Sequence, residues 1–109
     1  IHSDAILIDR GDLSREIPIY KIPTMQRKII NIARTKNIPT YVATNLLENM
    51  ILKKDPTRAE VNDVISTLEM GAAGLVLAAE TAIGKYPVQT VEMINFLIKE
   101  FQINLKIKK

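Results

Sequence analysis

The sequence of 109 residues predicts an α/β fold in which three parallel strands alternate with helices, a βαβαβα segment. Three short apolar runs have the composition of strands that are buried on both faces. These runs are Ala5 to Ile8, Thr40 to Ala43 and Gly74 to Leu77. Each run is followed by a segment in which apolar residues recur at helical spacing. This alternation of strands and helices is typical of parallel βα architecture.

The first unit contains the strand Ala5 to Ile8, a polar turn with Gly11, and two helices. A short helix is predicted from Asp12 to Glu16, and a longer helix from about Thr24 to Thr35. Apolar residues of the longer helix recur at helical spacing and are predicted to face the core. These residues are Met25, Ile29, Ile32 and Ala33.

The second and third units have clearer helix boundaries. An apolar helical turn is expected over Leu46 to Leu52. Thr57 and Glu60 have the spacing of a capping box, which predicts the start of a helix that ends near Gly71. The last helix is predicted from about Pro87 to Phe101. Its inward residues are predicted to be Val91, Ile94 and Ile98.

The length of the strand–helix units matches a (β/α)8 barrel of the TIM type, in which roughly 250 residues divide into eight units. An open, doubly wound parallel sheet is the alternative that composition leaves open. In either architecture three strands leave two sheet edges without a partner. We therefore expect the remaining strands of the barrel, or another partner, to complete this chain.

Composition and charge limit the kinds of partner that the chain is expected to bind. The content of 47% hydrophobic and 25% charged residues is ordinary for a globular protein. No apolar run approaches the roughly 18 to 20 residues of a membrane span. The net charge of +3 arises from three lysines in the last four residues, and aromatic residues are not interleaved with the basic ones. We expect neither a membrane nor a nucleic acid as partner.

The absence of Cys excludes a disulfide framework. The start at Ile1 suits a segment of a longer protein.

Polar residues follow each of the three predicted strands. They are Arg10-Gly11-Asp12, Thr44-Asn45 and Glu80-Thr81. Because active sites of parallel α/β folds lie at the carboxyl ends of the strands, these groups are expected to converge on one site. The alternative is that they only cap strands and begin loops.

The first polar group has the most specific chemistry. Gly11 allows a ligand to approach the backbone closely, and the N–H groups at the start of the short helix favour a carboxylate or phosphate. Asp12 offers a hard oxygen ligand that suits Mg²⁺. An anion held beside a carboxylate-bound cation suits phosphoryl transfer. The alternative for Asp12 is that it serves only as the N-cap of that helix.

Four motifs resemble pyruvate kinase in sequence, order and spacing. They are RGDLSREIP (Arg10 to Pro18), ATNLLENM (Ala43 to Met50), PTRAE (Pro56 to Glu60) and ETAIGKYP (Glu80 to Pro87). The resemblance runs from Asp4 to Glu100 and covers the sixth to eighth βα units of that family's catalytic barrel. Residues 1–109 are therefore expected to be part of one barrel domain, from strand 6 to helix 8.

The resemblance implies transfer of a phosphoryl group from phosphoenolpyruvate to ADP, giving pyruvate and ATP in glycolysis. It implies Mg²⁺ and K⁺ as cofactors. Gly11 then matches the backbone donor to the substrate carboxylate, and Asp12 matches one of two carboxylate ligands of Mg²⁺. Thr44 matches the hydroxyl on the enolate face that receives a proton. The catalytic lysine, the second carboxylate and the ligands of K⁺ and nucleotide belong to earlier strands of the family barrel, so the isolated chain is expected to be inactive.

The resemblance also assigns lesser roles. Arg10 and Glu16 match motif positions that we interpret as positioning the loop, and Glu80 opens the last motif. PTRAE resembles the start of a helix that follows a loop reaching towards a neighbouring subunit. A homo-oligomer, a tetramer in the family, is thus implied. We expect a cytoplasmic location, with an organelle as the alternative.

Some residues depart from the family pattern. Asp9 stands where a small residue lies beside the substrate carboxylate, Ala78 replaces a Ser of the proton-delivery network, and Ile83 replaces a Lys. Ala79 replaces a Gly. Two further hypotheses therefore stay open. One is a catalytically impaired paralogue with a regulatory or assembly role. The other is a different phosphoenolpyruvate/pyruvate barrel enzyme, in which Asp12 holds Mg²⁺ for enolate chemistry without a nucleotide.

Overall fold

The structure is a computed structural model, and it describes residues 5–43 and 46–108. Strands and helices alternate along these residues. The strands are β1 (Ile6–Asp9), β2 (Thr40–Ala43) and β3 (Gly74–Val76). The α-helices are α1 (Arg10–Glu16), α2 (Ile22–Thr35), α3 (Arg58–Met70), α4 (Ala79–Ala82) and α5 (Pro87–Lys108). Two single turns of 3₁₀-helix cover Ile19–Lys21 and Glu48–Ile51.

The three strands form one parallel sheet in the order β1-β2-β3. In the register Ile8 lies opposite Val42, which lies opposite Leu75. Asp9 lies opposite Ala43, which lies opposite Val76. The predicted α/β class and the predicted parallel, sequential sheet are therefore confirmed.

Several predicted boundaries differ from the observed ones. α1 begins at Arg10 and not at Asp12, because the side chain of Asp9 accepts a hydrogen bond from the Asp12 N–H and caps the helix. Asp12 therefore lies in the first turn, and the expectation that it could be the N-cap is wrong. The last helix continues to Lys108, beyond the predicted end at Phe101.

The start and end of α3 agree with the prediction. Thr57 Oγ1 accepts from the Glu60 N–H at 3.1 Å, and Glu60 Oε1 accepts from the Thr57 N–H at 2.8 Å. This reciprocal pair is the predicted capping box. At the other end Gly71 has a φ of 108°, a left-handed conformation that favours glycine after a helix.

Two apolar clusters hold the helices against the sheet. The smaller cluster joins Ile8, Ile30 and Val42, from β1, α2 and β2. The larger cluster lies around the segment that follows β2. Its buried members are Leu46, Leu47, Met50, Val64, Leu68, Ile94 and Leu97. Leu46, Leu47 and Met50, which follow β2, are therefore part of the core.

The inward faces of two helices differ from the predicted ones. In α2 the buried residues are Ile22, Gln26, Ile30 and Ala33. Met25 and Ile32, predicted to be inward, are exposed. In α5 Val91 is exposed, whereas Thr90, Ile94 and Leu97 are buried. α5 is apolar over more than one face, whereas in α2 Met25 and Ile32 lie at the margin of one apolar stripe, so the periodicity alone did not identify which apolar residues are buried.

The face of the sheet opposite to the helices carries exposed apolar side chains. Successive side chains of a strand alternate between the faces. Ile8 and Val42 point towards the helices and are buried, whereas Leu7 is 59% and Tyr41 38% exposed. Val76 of β3 is also exposed. Parallel sheets are normally covered on both faces, so this face is suited to pack against further strands of a barrel.

Within the described residues, no helix combines the length and the apolar character that a bilayer crossing requires.

Candidate active site

The carboxyl ends of the three strands lie along one edge of the sheet. Because Asp9, Ala43 and Val76 are in register, the segments that follow them emerge side by side. β1 and β3 are separated by β2, which places their ends about 10 Å apart at ordinary strand spacing. The first and third predicted polar groups, at Arg10–Asp12 and at Glu80, therefore share this edge. Thr44 and Asn45, the second group, lie outside the described residues.

Asp9 ends β1 and caps the helix that follows. Its Oδ1 accepts a hydrogen bond from the Asp12 N–H at 3.2 Å. The carboxylate is thus turned towards the start of α1, where the partial positive charge of the helix favours it. This contact engages one of the two N–H groups that the sequence assigned to an anionic ligand. Gly11, the other, lies half-buried in the first turn of α1, and its carbonyl accepts from Ser14 Oγ at 2.7 Å.

Arg10 connects this end of β1 to α3. Its Nη1 atom lies 2.8 Å from Asp63 Oδ1, and the Arg10 side chain is only 13% exposed. A charge-assisted hydrogen bond in a largely enclosed position restrains both side chains. The expectation that Arg10 positions the loop stays a prediction. Glu16, for which the same role was expected, is exposed and makes no hydrogen bond or ion pair with another described residue.

Asp12 is accessible to a metal ion. Its side chain is 69% exposed, and its Oδ1 lies 3.3 Å from Arg15 Nη1. Such an exposed pair is weak and can yield to a cation. In the described part of the chain, no group of three or more His, Asp or Glu side chains is placed to hold a metal. Asp12 therefore fits a Mg²⁺ ion as one carboxylate ligand, since Mg²⁺ completes its octahedral shell from water, substrate and other residues.

A cleft of about 470 Å³ runs beside this part of β1. It is lined by Asp9, Asp12 and Glu16 together with apolar residues of β1 and α2. The residues that line the cleft lie along the side of β1 that does not pair with β2. In a closed barrel a preceding strand would pair with this edge.

Glu80 lies in α4, the short helix that follows β3, and is 1% exposed. Its Oε1 accepts from the Ala78 N–H and its Oε2 from the Leu47 N–H, both at 3.1 Å. Leu47 belongs to the segment after β2, so Glu80 links the loops that follow two neighbouring strands. A second link joins the same segments, from the Lys85 N–H to the Ile51 carbonyl at 2.9 Å.

Two sets of contacts at the candidate site were not predicted from the sequence. The pair of Arg10 and Asp63 joins residues 53 positions apart, and no local pattern relates them. Glu80 was predicted only as a polar residue after the third strand. Its burial could not be predicted because its bonding partners are backbone N–H groups, which every residue type except proline carries.

The fold is that of a segment of a parallel β/α protein, a class of fold in which active sites lie at the carboxyl ends of the strands. Comparisons with known proteins identify the family. A family model described as pyruvate kinase, barrel domain, matches residues 1–91. The pyruvate kinase of Thermotoga maritima is 42% identical over 104 residues, which cover 95% of this chain and 22% of that protein.

Two further relatives agree. Plastidial pyruvate kinase 2 of Arabidopsis thaliana is 42% identical over 93 residues, covering 85% of this chain and 16% of that protein. A crystal structure of a pyruvate kinase from Cryptosporidium parvum superposes with a TM-score of 0.90 at 36% identity, covering 93% of this chain and 20% of that chain. The chain belongs to the pyruvate kinase family, and it spans about a fifth of the length of these relatives.

Proposed function

We propose that the full-length protein carrying this chain transfers a phosphoryl group from phosphoenolpyruvate to ADP, giving pyruvate and ATP in glycolysis. The observation that carries this proposal is the common edge at which β1 and β3 deliver Gly11, Asp12 and Glu80. This edge is where active sites of such barrels lie. We further propose that residues 1–109 are the sixth to eighth βα units of the barrel.

In this proposal the residues after β1 bind the anion and the metal. The Gly11 N–H, in the first turn of α1, donates to the substrate carboxylate. Asp12 contributes one carboxylate oxygen to Mg²⁺, with the second carboxylate supplied by an earlier strand. When bound, Mg²⁺ neutralises charge on the phosphoryl group that is transferred. If the substrate uses the Asp12 N–H as a donor, the Asp9 carboxylate must first release it. Otherwise the Gly11 N–H is the donor of this pair.

The reaction has two chemical parts. The bond between phosphorus and the enol oxygen breaks while a bond to the terminal phosphate oxygen of ADP forms. The resulting enolate takes up a proton at its terminal carbon and becomes pyruvate. Thr44, directly after β2, is the group that we propose to deliver that proton. The catalytic lysine and the ligands of K⁺ and nucleotide are assigned to strands outside residues 1–109.

The proposed partners follow from the fold and the family. The remaining barrel strands cover the exposed sheet face that carries Leu7, Tyr41 and Val76. The loop that precedes the segment from Pro56 to Glu60 reaches towards a neighbouring subunit of a homo-oligomer, a tetramer by family resemblance. The proposed location is the cytoplasm, with an organelle as the alternative.

The test is Asp12→Asn in the full-length protein. Asn keeps the size and one acceptor oxygen but removes the charge that favours Mg²⁺. We expect Mg²⁺ affinity in the presence of phosphoenolpyruvate, measured by calorimetry, to fall at least tenfold, or about 1.4 kcal/mol. Turnover should fall with it, while the melting temperature changes little because the helix cap is Asp9.

Arg15→Gln is the matched control. It removes the ion pair with Asp12 but leaves the carboxylate in place. We expect Mg²⁺ affinity to stay the same or to rise slightly. Turnover of Asp12→Asn within twofold of the parent, about 0.4 kcal/mol of barrier, would contradict the ligand assignment. A parent that binds Mg²⁺ and phosphoenolpyruvate without forming pyruvate would contradict the proposed activity.

A further inference from the structure

Met70 is a methionine at the end of α3. Residues 1–109 contain four methionines and no cysteine, so thioethers are the sulfur groups of this chain that an oxidant can attack. Met50 is 0% and Met25 is 36% exposed, whereas Met70 is half-buried. Peroxides convert an accessible thioether to a sulfoxide, a polar group that reductases can convert back. The effect of this change depends on what each methionine contacts.

On its inner side Met70 takes part in the contact between α2 and α3. Its Sδ atom accepts a hydrogen bond from Gln26 Nε2 at 3.3 Å, and the same Nε2 atom donates to Thr67 Oγ1 at 3.3 Å. Gln26 is 3% exposed, so these two acceptors replace water around its NH₂ group. Met70 also packs against the smaller apolar cluster, which joins β1, α2 and β2. The thioether therefore helps to hold α2 against α3.

On its outer side Met70 lines a surface groove of about 420 Å³ between α2 and α3. The other residues that line the groove are polar or charged. They are Arg27, Asn31, Arg34, Ser66 and Glu69. The Nη1 atom of Arg34 donates to the Met70 carbonyl oxygen at 3.4 Å. A small oxidant can thus reach Met70 through the groove, where a guanidinium group lies beside it.

We propose that Met70 is a reversible oxidation site, and that oxidation turns its side chain from the core into this groove and loosens α2 from α3. Hydrogen peroxide transfers one oxygen atom to the sulfur: an S–O bond forms, the O–O bond breaks and water leaves. The sulfur loses two electrons, which reduce the peroxide. A reductase reverses the step with two thiols, which become a disulfide while the oxygen leaves as water. This site is independent of the proposed function, since its oxidation needs neither substrate nor metal.

The oxidised side chain fits the groove better than the core. A thioether is a weak hydrogen-bond acceptor, whereas a sulfoxide oxygen is polar and costly to place against the smaller apolar cluster. In the groove the guanidinium of Arg34 can donate to this oxygen. Gln26 then keeps Thr67 Oγ1 as an acceptor. The contact between α2 and α3 loses the apolar packing of Met70, so the end of α3 is held less firmly.

Two backbone hydrogen bonds at the end of α3 report this loosening. The Gly71 N–H donates to the Leu68 carbonyl at 3.0 Å. The Ala72 N–H donates to the Thr67 carbonyl at 3.4 Å. Both donors follow Met70 directly in the chain, so local opening there exposes them to exchange with D₂O. Amide hydrogen exchange at Gly71 and Ala72 therefore measures the proposed change locally.

The experiment treats the full-length protein with hydrogen peroxide and follows each methionine by peptide mass spectrometry, together with amide exchange. Met70→Leu removes the oxidisable sulfur and nearly conserves the volume. Met70→Gln imitates the oxidised state, because glutamine is polar, similar in length and resistant to peroxide. Met25→Leu is the matched control, since Met25 is an exposed methionine of α2.

We expect peroxide to oxidise Met70 at least tenfold faster than the buried Met50. Peroxide should speed amide exchange at Gly71 and Ala72 at least tenfold in the parent and in Met25→Leu. In Met70→Leu the exchange should stay within twofold of the untreated rate. Met70→Gln should show the faster exchange without peroxide. Methionine sulfoxide reductases with dithiothreitol should restore slow exchange in the oxidised parent.

Oxidation of Met70 no faster than that of Met50 would overturn the oxidation site. Slow amide exchange in a parent whose Met70 is oxidised, or equal acceleration in Met70→Leu and the parent, would overturn the loosening. Exchange that stays fast after reductase treatment would overturn reversibility. Exchange in Met70→Gln as slow as in the parent would overturn the turn into the groove. If Met70→Gln does not fold, the oxidised parent and Met70→Leu decide the proposal between them.

Discussion

At the scale of single residues, the site depends on contacts to the backbone. Asp9, Glu60 and Glu80 each use a carboxylate to accept backbone N–H groups. Such bonds are charge-assisted and stronger than neutral ones. They hold the loops at the carboxyl ends of the strands in place without a direct role in chemistry. Glu60 and Glu80 both hold the segment after β2, at Asn49 and Leu47, whereas Asp9 caps α1.

One buried hydroxyl lacks such a contact. Thr40 in β2 is buried, and its Oγ1 has no hydrogen-bond partner among the described residues. An unsatisfied buried hydroxyl costs about 1 kcal/mol or more. We expect Thr40→Val, which keeps the shape and removes the hydroxyl, to stabilise the full-length protein by about 1 kcal/mol, measured as a higher melting temperature.

Thr67→Val is the control for this substitution. Thr67 is also fully buried, but its Oγ1 accepts from Gln26 Nε2 at 3.3 Å. Removing that acceptor should lower the melting temperature because the Gln26 amide then keeps only the Met70 sulfur, a weak acceptor, as its partner. A loss of stability in Thr40→Val equal to that in Thr67→Val would show that the Thr40 hydroxyl is satisfied after all.

At the scale of elements, β2 and β3 fit each other through one aromatic side chain. Tyr41 lies opposite Gly74 in the sheet. A Cβ atom added to Gly74 would lie 2.7 Å from Tyr41 Cδ1 and 2.8 Å from Cε1. The ring thus covers the place that a larger residue would occupy. An aromatic side chain that covers a glycine in a neighbouring strand compensates for the packing that glycine lacks.

This contact predicts that the effect of Gly74→Ala on stability depends strongly on the side chain at position 41. Gly74→Ala should destabilise the full-length protein by about 1 to 3 kcal/mol, since the ring must move from a packed position. In a Tyr41→Val background the same change should cost far less, because Val leaves room for the added methyl group. Urea denaturation of the four variants in this cycle measures the difference. Equal costs of Gly74→Ala in both backgrounds would refute the contact.

At the scale of the whole molecule, the sheet is covered on one side only. α2 and α3 contribute to the apolar clusters that enclose Ile8 and Val42 on one face. The other face exposes Leu7, Tyr41 and Val76. Edge strands with unpaired backbone groups add to this incompleteness. The segment is thus built to be completed by other strands, in agreement with its coverage of about a fifth of its relatives.

The incomplete barrel predicts that the isolated chain of 109 residues is inactive. The proposed lysine, second metal carboxylate and nucleotide contacts lie on other strands, and loss of one electrostatic group can cost ~10²- to 10³-fold. A coupled assay for pyruvate should detect none with the isolated chain and ready formation with the full-length protein at equal concentration. Pyruvate formation by the homogeneous isolated chain would show that the catalytic groups are misplaced.

The sequence by itself determined the elements, their order and the family. Apolar runs predicted the three strands, and the capping box and Gly71 marked both ends of α3, because these signals act between residues near in sequence. The polar groups after the strands predicted a candidate site at the carboxyl ends of the strands, and this stays a prediction. The motif beginning at Arg10 placed Gly11 and Asp12 at that edge.

Only the tertiary structure decided which contacts those residues make. It turned Asp9 towards the start of α1, paired Arg10 with Asp63, and enclosed Glu80 between two loops. It also selected which apolar residues of the helices are buried, leaving Met25 and Val91 exposed. These outcomes depend on which segments meet in space. Periodicity in one segment carries no information about the segment that will cover it. Burial of a residue depends on both of the surfaces that come into contact.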